Sequence, residues 1–371
     1  MNHQLYCLSM IFHLEQSPLF CGIIEFRAVG FNLRKFSNSF FHGDRTLDMA
    51  RSSFHNFLNH PIAFISCNSR IKISDAFVSV KDCRFCSCIS SEPGGAIYTT
   101  STSATVNITN CIFNDCSSTG SFSVSYININ MKAGGGGCAL LCSKFYVKLC
   151  CFLNCYSVER GPALFTASNG FDDAVFNNSV IFHASGGICP IHFGQGKAIM
   201  SDDNSTSNIC IVVPGGGFTY SGTRNLLQYS SILHCISTRI STNLYSRTFD
   251  FSLGSSAETC RMCNIVNNTS YNNLKCVFYS YLSQLTFSNF VFYKNDSPLF
   301  VKEAGLIRIE NCISDTIAIG SATQLSGNIL SANPVHTHFF GIVDICQTMV
   351  PTIVFNTISN RFYILLLSFC E

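Results

Sequence analysis

The chain has 371 residues, a net charge of +2, and only 12% charged residues beside 47% hydrophobic ones. With no long basic or acidic run, it lacks the clustered basic face that phosphate neutralisation needs, so no nucleic-acid partner is expected. Its polarity comes instead from 48 Ser, 23 Thr and 31 Asn, residues of strands and turns rather than of helices.

Residues 1–59 show no repeat and read as an N-terminal cap or targeting region. "LYCLSMIF", residues 5–12, has the length of a signal-peptide apolar core, but nothing basic precedes it and no small-x-small cleavage motif comes after it. "GDRTLDMARSSFHNFLNH", Gly43 to His60, is expected to form a short amphipathic helix that covers the first coil of the repeat region.

Residues 60–316 repeat. "VSVKDCRFCSCIS" holds Val80, Cys83, Phe85 and Cys88. "VNITNCIFNDCSS" holds Ile108, Cys111, Phe113 and Cys116, and "FYVKLCCFLNCYS" holds Val147, Cys150, Phe152 and Cys155. Weaker copies keep Leu227, Ile232 and Cys235; Cys260, Cys263, Ile265 and Asn268; Phe287, Phe290, Phe292 and Asn295; and Ile309 with Cys312. "NNSVIFHASG" is a poor copy with Phe182 at the aromatic position. That position therefore falls at 85, 113, 152, 182, 232, 265, 292 and 314, with spacings that vary as loop insertions would vary them. A second element recurs at a fixed offset, in the pairs Ala96/Ile97, Ala163/Leu164, Leu244/Tyr245 and Val277/Phe278.

Within one unit the inward candidates Val106, Ile108, Cys111, Phe113 and Cys116 are spaced 2, 3, 2, 3. A step of two keeps one face of a strand. A step of three flips the face unless a corner absorbs the extra residue. Short strands joined by corners around one axis describe a coil of a parallel β-helix. The Thr, Ser, Asn and Val content and the missing i, i+3, i+4, i+7 pattern argue against helix. Stacked coils would place Phe on Phe and Cys on Cys, with Asn268 and Asn295 forming an amide ladder where Cys is replaced. Gly94-Gly95 is expected at a tight turn that needs positive φ. The fold class is therefore all-β, a single right-handed parallel β-helix solenoid of about seven to nine coils with an N-terminal cap. Residues 317–371 lose the pattern and are expected to hold degenerate last coils and a C-terminal cap. "FYILLLSFC", Phe362 to Cys370, is too short to span a bilayer, and no transmembrane helix is expected.

"GGAI" (Gly94 to Ile97) with the later "FYKN" (Phe292 to Asn295) resembles the repeats of bacterial polymorphic outer-membrane proteins. The cysteine-rich form, "CIFNDC" beside "GGAIY", resembles cysteine-rich surface proteins of parasitic protists, and both are similar to the pectin-lyase-like β-helix class. The resemblance implies a non-catalytic, adhesin-like module at the cell surface or outside it, with host-cell or glycan ligands. A polysaccharide-active lyase or hydrolase is the alternative, and a degenerate copy without function is a third reading.

Other chemistry is weighed against the repeat. Cys83-x-x-Cys86 and Cys260-x-x-Cys263 have zinc-ligand spacing but lie too far apart in sequence for a ribbon site, and each overlaps repeat positions. No cofactor and no metal are expected. The 22 cysteines either pair in an oxidising compartment or act as small buried hydrophobes in a reducing one, so a cytoplasmic location stays open. Ladder neighbours would lie within bridging distance, yet parallel side chains are poorly aimed for a disulfide. The acid pairs are Asp172-Asp173 and Asp202-Asp203; consecutive strand residues face opposite ways, and "SDDN" reads as a loop. "RIK", Arg70 to Lys72, echoes a polygalacturonase-like triplet but stands in the wrong order relative to the acids. The glycine runs Ala133 to Cys138 and Pro214 to Phe218 lack the Lys-Ser/Thr of a phosphate loop and read as flexible insertions. Six Asn-x-Ser/Thr sequons match chance, so no compartment is read from them.

Overall fold

The computed structural model describes residues 77–99, 104–126, 129–167, 173–193, 197–210, 218–220, 224–238, 246–252, 257–270, 275–281, 283–295, 299–302, 305–316, 324–332 and 346. It also places the strands Glu25–Phe26, Phe41–His42, Leu47–Ala50, Ser53–His55, Ile62–Phe64, Ile353–Ile358 and Arg361–Leu366. One coil shows the plan. Thr105–Thr109 lies in a first sheet, Ile112–Asn114 in a second, Ser117–Ser118 in a third and Cys138–Leu141 in a fourth, before Lys144–Lys148 returns to the first. The four sheets stack 12, 11, 7 and 10 strands, and every pairing within them is parallel. This is the arrangement of a parallel β-helix.

The corners explain the 2, 3, 2, 3 spacing. Among the described residues, 17 non-glycine residues have positive φ, and all of them sit at two corners. One corner, between the first and second sheets, runs Asp82, Asn110, Leu149, Asn178, Asp202, Tyr229, Met262, Asn289 and Asn311. The other, between the second and third, runs Ser87, Asp115, Asn154, His183, Ser207, His234, Asn267 and Lys294. A single left-handed residue turns the strand, and the next side chain points inward again. Nine of the 17 are Asn or Asp, the non-glycine residues that tolerate this conformation best. The corner N–H groups continue the ladder, as in Asn110 N–H to the Lys148 carbonyl at 3.0 Å.

The register aligns the interior. In the first sheet Val80, Ile108, Val147, Phe176, Met200, Leu227, Cys260, Phe287 and Ile309 stack. In the second, Phe85, Phe113, Phe152, Ile181, Ser205, Ile232, Ile265, Phe292 and Ser314 stack. Two expectations are corrected by this row. The poor copy is centred on Ile181, and Phe182 lies on the opposite, half-buried face of its strand. A further coil stands where no repeat is expected: Lys197–Ser201, Asn204–Thr206 and Ile209–Cys210 carry Ser205 at the aromatic position, and the apparent gap between residues 182 and 232 is two regular coils.

In the fourth sheet Ile97, Cys138, Leu164, Ile191, Phe218, Phe249, Phe278 and Phe300 share a row. Phe249 takes the position expected of Tyr245, because the preceding insertion is longer than the offset allows; residues 239–245 lie outside the described residues.

The expected helix at Gly43 to His60 is replaced by the strands Leu47–Ala50 and Ser53–His55. Leu47 and Met49 pair with Val78 and Val80, so a period of two, shared with the next coil, overrides the helical reading. The insertion after Ser118 contains an antiparallel hairpin, Phe122–Tyr126 with Ile129–Ala133. The strands Gln324–Ser326 and Ile329–Leu330 extend the first and second sheets beyond residue 316, and Ile353–Ile358 pairs antiparallel with Arg361–Leu366.

Candidate functional site

Gly94 and Gly95 serve the turn into the fourth sheet, for two different reasons. Gly94 has φ +79°, and a Cβ there would stand 2.3 Å from the Ile97 carbonyl. Gly95 is needed for close approach: its Cβ would fall 2.1 Å from the Gly136 carbonyl. The same turn recurs at Gly135 and Gly161, with φ +76° and +66°, so the second position tolerates Pro162 once the first is glycine. The run Ala133 to Cys138 is therefore a structural turn and not a flexible insertion. Pro214 to Gly217 lies outside the described residues.

Phe85, Phe113 and Phe152 form a buried, nearly parallel stack, with centroids 4.9 and 4.6 Å apart and interplanar angles of 3° and 7°. Phe292 belongs to a second interior cluster with Phe278, Phe287, Phe290 and Phe300, whose rings meet mostly tilted or edge-on.

The corner cysteines point inward. Cys111 Sγ donates to the carbonyls of Thr109 (3.3 Å) and Val80 (3.5 Å), and Cys150 Sγ to those of Lys148 (3.1 Å) and Ile108 (3.6 Å). At the other corner Cys116, Cys155 and Cys235 each reach a carbonyl of their own coil and one of the coil below. Cys88, at the same corner, is buried and bonds the Cys86 carbonyl. A thiol fits here because it is small, apolar and a weak donor to carbonyls at strand ends. Burial pushes the Cys111, Cys138 and Cys155 thiols well up, and Cys235 to about 11. Such thiols are poor nucleophiles.

Asn268 and Asn295 occupy the same corner with stronger bonds. Asn268 Oδ1 accepts the Cys235 N–H at 2.9 Å, and its amide donates to the Ile232 carbonyl at 3.0 Å. Asn295 Oδ1 accepts both the backbone N–H and the amide of Asn268 at 3.1 Å. Asn208 does the same for the Ala184 N–H, and Asn328, at the first corner, for the Cys312 N–H.

Asp202 and Asp203 form a corner and not a loop. Asp202 is the left-handed residue, and Asp203 points inside at the position of Cys83, Cys111 and Cys150. Asp203 accepts the Ser179 N–H (2.9 Å) and the Ser201 N–H (3.0 Å). Burial raises its pKa well above the usual carboxylate range, against the pull of those two donors. The two acids are split between interior and exterior and do not converge on one substrate cleft. Asp172 and Arg70 to Lys72 lie outside the described residues.

The two Cys-x-x-Cys pairs also resolve into repeat positions. Cys83 faces the interior while Cys86 lies half-buried on the outward flank of the second sheet, so they do not address one ion. Cys260 and Cys263 are both interior. Among the described residues no group of three or more His, Cys, Asp or Glu is arranged to hold a metal ion. The fold also makes a buried pair that no sequence motif marks: Cys189 Sγ lies 3.9 Å from His192 Nδ1, with His192 stacked on Phe165 at 5.2 Å. Burial, then the Arg160 charge, holds His192 neutral, and its Nε2 has no hydrogen-bond partner. Proton transfer to a substrate would require access that a 1% exposed ring lacks.

The outward surface differs. On the narrow third sheet the outward row is Ile89, Ser117, Tyr156, Ser185, Ile209, Ile236 and Thr269. Ile89, Tyr156 and Ile209 are 44%, 37% and 42% exposed, at alternate coils about 10 Å apart with serines between. A cavity of about 170 Å³ opens at the last coils, lined mainly by apolar side chains such as Phe292, Phe300, Ile309 and Leu330, with the Cys312 thiol and no Asp, Glu, His, Lys or Arg among its lining residues. The Cys151–Cys346 disulfide joins residues 195 apart, with Cα atoms 5.9 Å apart. No helix among the described residues is long and apolar enough to cross a membrane.

No protein-family model matches the chain, and neither the curated proteins nor the solved structures include one with significant similarity to it.

Proposed function

We propose that the chain is a non-catalytic recognition module, exposed at a cell surface or secreted, and adhesin-like in its use of a repetitive face. On this reading the solenoid is right-handed, the hand of nearly all parallel β crossovers, and belongs with the pectin-lyase-like β-helices that its GGAI and Cys-x-Phe-x-x-Cys motifs resemble. The observation that carries the proposal is the outward row of the third sheet, where exposed Ile89, Tyr156 and Ile209 recur at even spacing on a flat scaffold. Exposed apolar side chains in regular array favour contact with an extended ligand. Its polar companions, Ser117 and Ser185, suit a glycan or a host-cell surface protein. The disulfide supports an oxidising compartment, since such bridges persist there.

Two experiments test this. The tagged chain, localised with and without residues 1–26, is expected outside the cytosol when intact; cytosolic protein in both cases contradicts the proposal. A triple variant, Ile89→Ser, Tyr156→Ser and Ile209→Ser, should lose binding to host cells or immobilised glycans and keep the melting curve of the parent. Undiminished binding contradicts the assignment of the third sheet.

A further inference from the structure

The coils sort the six Asn-x-Ser/Thr motifs, at Asn107, Asn177, Asn204, Asn267, Asn268 and Asn295, by geometry. Two motifs lie within straight strands. Asn107 and Thr109 are outward, half-buried residues of Thr105–Thr109, with Ile108 inside between them. Asn204 and Thr206 hold the same relation on Asn204–Thr206, with Ser205 inside. The strand period of two sets amide and hydroxyl side by side on one face. Thr109 Oγ1 donates to Asn107 Oδ1 at 3.1 Å, and Thr206 Oγ1 donates to Asn204 Oδ1 at 2.7 Å. Among the described residues neither Nδ2 donates to a protein acceptor.

The other four motifs meet corners. Asn178 is left-handed at φ 49°, which carries Ser179 inside. There the Ser179 hydroxyl donates to the Asn177 carbonyl at 3.0 Å and accepts the Cys150 N–H at 3.1 Å, apart from the Asn177 side chain. Asn267 is itself a left-handed corner residue, and its amide meets His234 Nδ1 at 2.7 Å. Asn268 and Asn295 belong to the inward ladder. Asn268 Nδ2 donates to the Ile232 carbonyl and to Asn295 Oδ1, and Asn295 Nδ2 donates to the Ile265 carbonyl at 2.6 Å. A substituent on either nitrogen would remove a donor and need space that a close-packed interior lacks.

Given the export proposed above, on which this rests, we infer that Asn107 and Asn204 are acceptor sites for an N-linked oligosaccharide. The donor is an oligosaccharide joined through its C1 to a lipid diphosphate. Asn Nδ2 bonds to that carbon as the C1–oxygen bond breaks. The lipid diphosphate leaves with the electron pair, and one amide proton passes to a base of the transferase. Nothing is oxidised or reduced. The two acceptors stand on the first and second sheets, whereas the outward row of the third holds no Asn. The sugars therefore flank the row of Ile89, Tyr156 and Ile209 and leave it bare.

The full chain is expressed behind a cleavable secretion signal in a eukaryotic host, so that transfer is tested whatever its own N-terminus directs. Folded protein is collected from the medium, and occupancy is mapped by mass spectrometry after digestion with a peptide N-glycosidase. Asn107 and Asn204 should carry glycans, and Asn268 and Asn295 none. Thr109→Ala and Thr206→Ala should each lose one glycan and, once deglycosylated, melt as the parent does. Should either fold poorly, Asn107→Gln and Asn204→Gln supply the same reading. Folded chain bare at Asn107 or Asn204, or glycosylated at Asn268 or Asn295, overturns the inference. Native chain confined to the cytosol, with the secreted form modified at both strand sites, would place the failure in the export proposal and not in the sorting of the motifs.

Discussion

Two stretches of one solenoid solve the same corner problem with different atoms. Through residues 77–167 the inside corner is a cysteine, whose thiol donates weakly to two carbonyls, and the core beside it is a parallel stack of Phe85, Phe113 and Phe152. Through residues 197–332 the corner is more often Asp203, Asn208, Ser230, Asn268, Asn295 or Asn328, and there an oxygen accepts the N–H of the coil below. The lesson is that the stack constrains a geometry and not a residue type. It asks for a small inward side chain next to an N–H and a carbonyl that the turn would otherwise leave poorly bonded. Cysteine meets the demand mainly by packing, asparagine by hydrogen bonds. The first stretch should therefore depend most on its aromatic core, the second on its polar ladder.

The largest effect is expected in the first stretch. Phe113→Asp places an unpaired charge in a fully buried stack and should cost more than about 4 kcal/mol, unfolding the coils around it in a circular-dichroism melt. A folded variant would show that the ring is not interior. The corner comparison comes next. Asn268→Ala strands the Cys235 N–H and the Ile232 carbonyl and should cost about 3 kcal/mol in urea, whereas Cys116→Ala should cost about 1 kcal/mol. Equal costs would remove the distinction between the two stretches.

Two buried titrating groups give opposite pH slopes. Asp203 has a raised folded pKa, so its contribution to stability grows as pH falls through that value and is complete below the unfolded value of 3.8. His192 has a depressed one, so its contribution is present above 6.5 and is lost as pH falls towards the folded value. Asp203→Asn should abolish the first slope; its one amide oxygen can accept the Ser179 N–H as Asn328 accepts the Cys312 N–H, while the Ser201 N–H loses its acceptor. His192→Phe should abolish the second and stabilise by about 1–3 kcal/mol through loss of an unpartnered nitrogen. Urea midpoints across about pH 3–8, a range that brackets the reference pKa values of both groups, separate the two. The smallest effect is at the turn itself: Leu149→Asn, at φ 55°, should gain about 0.5–1 kcal/mol.

The fold is legible in the sequence where the solution repeats in kind. Phe85, Phe113 and Phe152, each flanked by cysteines, announce stacked coils by identity alone. Coil Lys197–Cys210 is hidden because Asp203, Ser205 and Asn208 fill the Cys, Phe and Cys positions with other chemistry. The Asn ladder at Asn268 and Asn295 can be anticipated because an amide can bond its own kind. The corner conformation of Leu149, Tyr229 and Met262 cannot, since nothing in those residue types favours positive φ. Cys151–Cys346 is invisible for a different reason: its neighbours face outward, and no repeat constrains them. The candidate surface on the third sheet is equally hidden, because nothing in the residue types of Ile89, Tyr156 and Ile209 marks them as outward until the register turns them out.

The central claim is that the ladder cysteines are interior thiols with a structural role. Alkylation of the folded chain under non-reducing conditions, read residue by residue by mass spectrometry, tests it most directly. Cys111, Cys116, Cys150 and Cys155 should stay unlabelled until the chain unfolds and then react as thiols. Rapid labelling of any of them in the folded chain, or a bridge between stacked neighbours such as Cys111 and Cys150, would contradict the account.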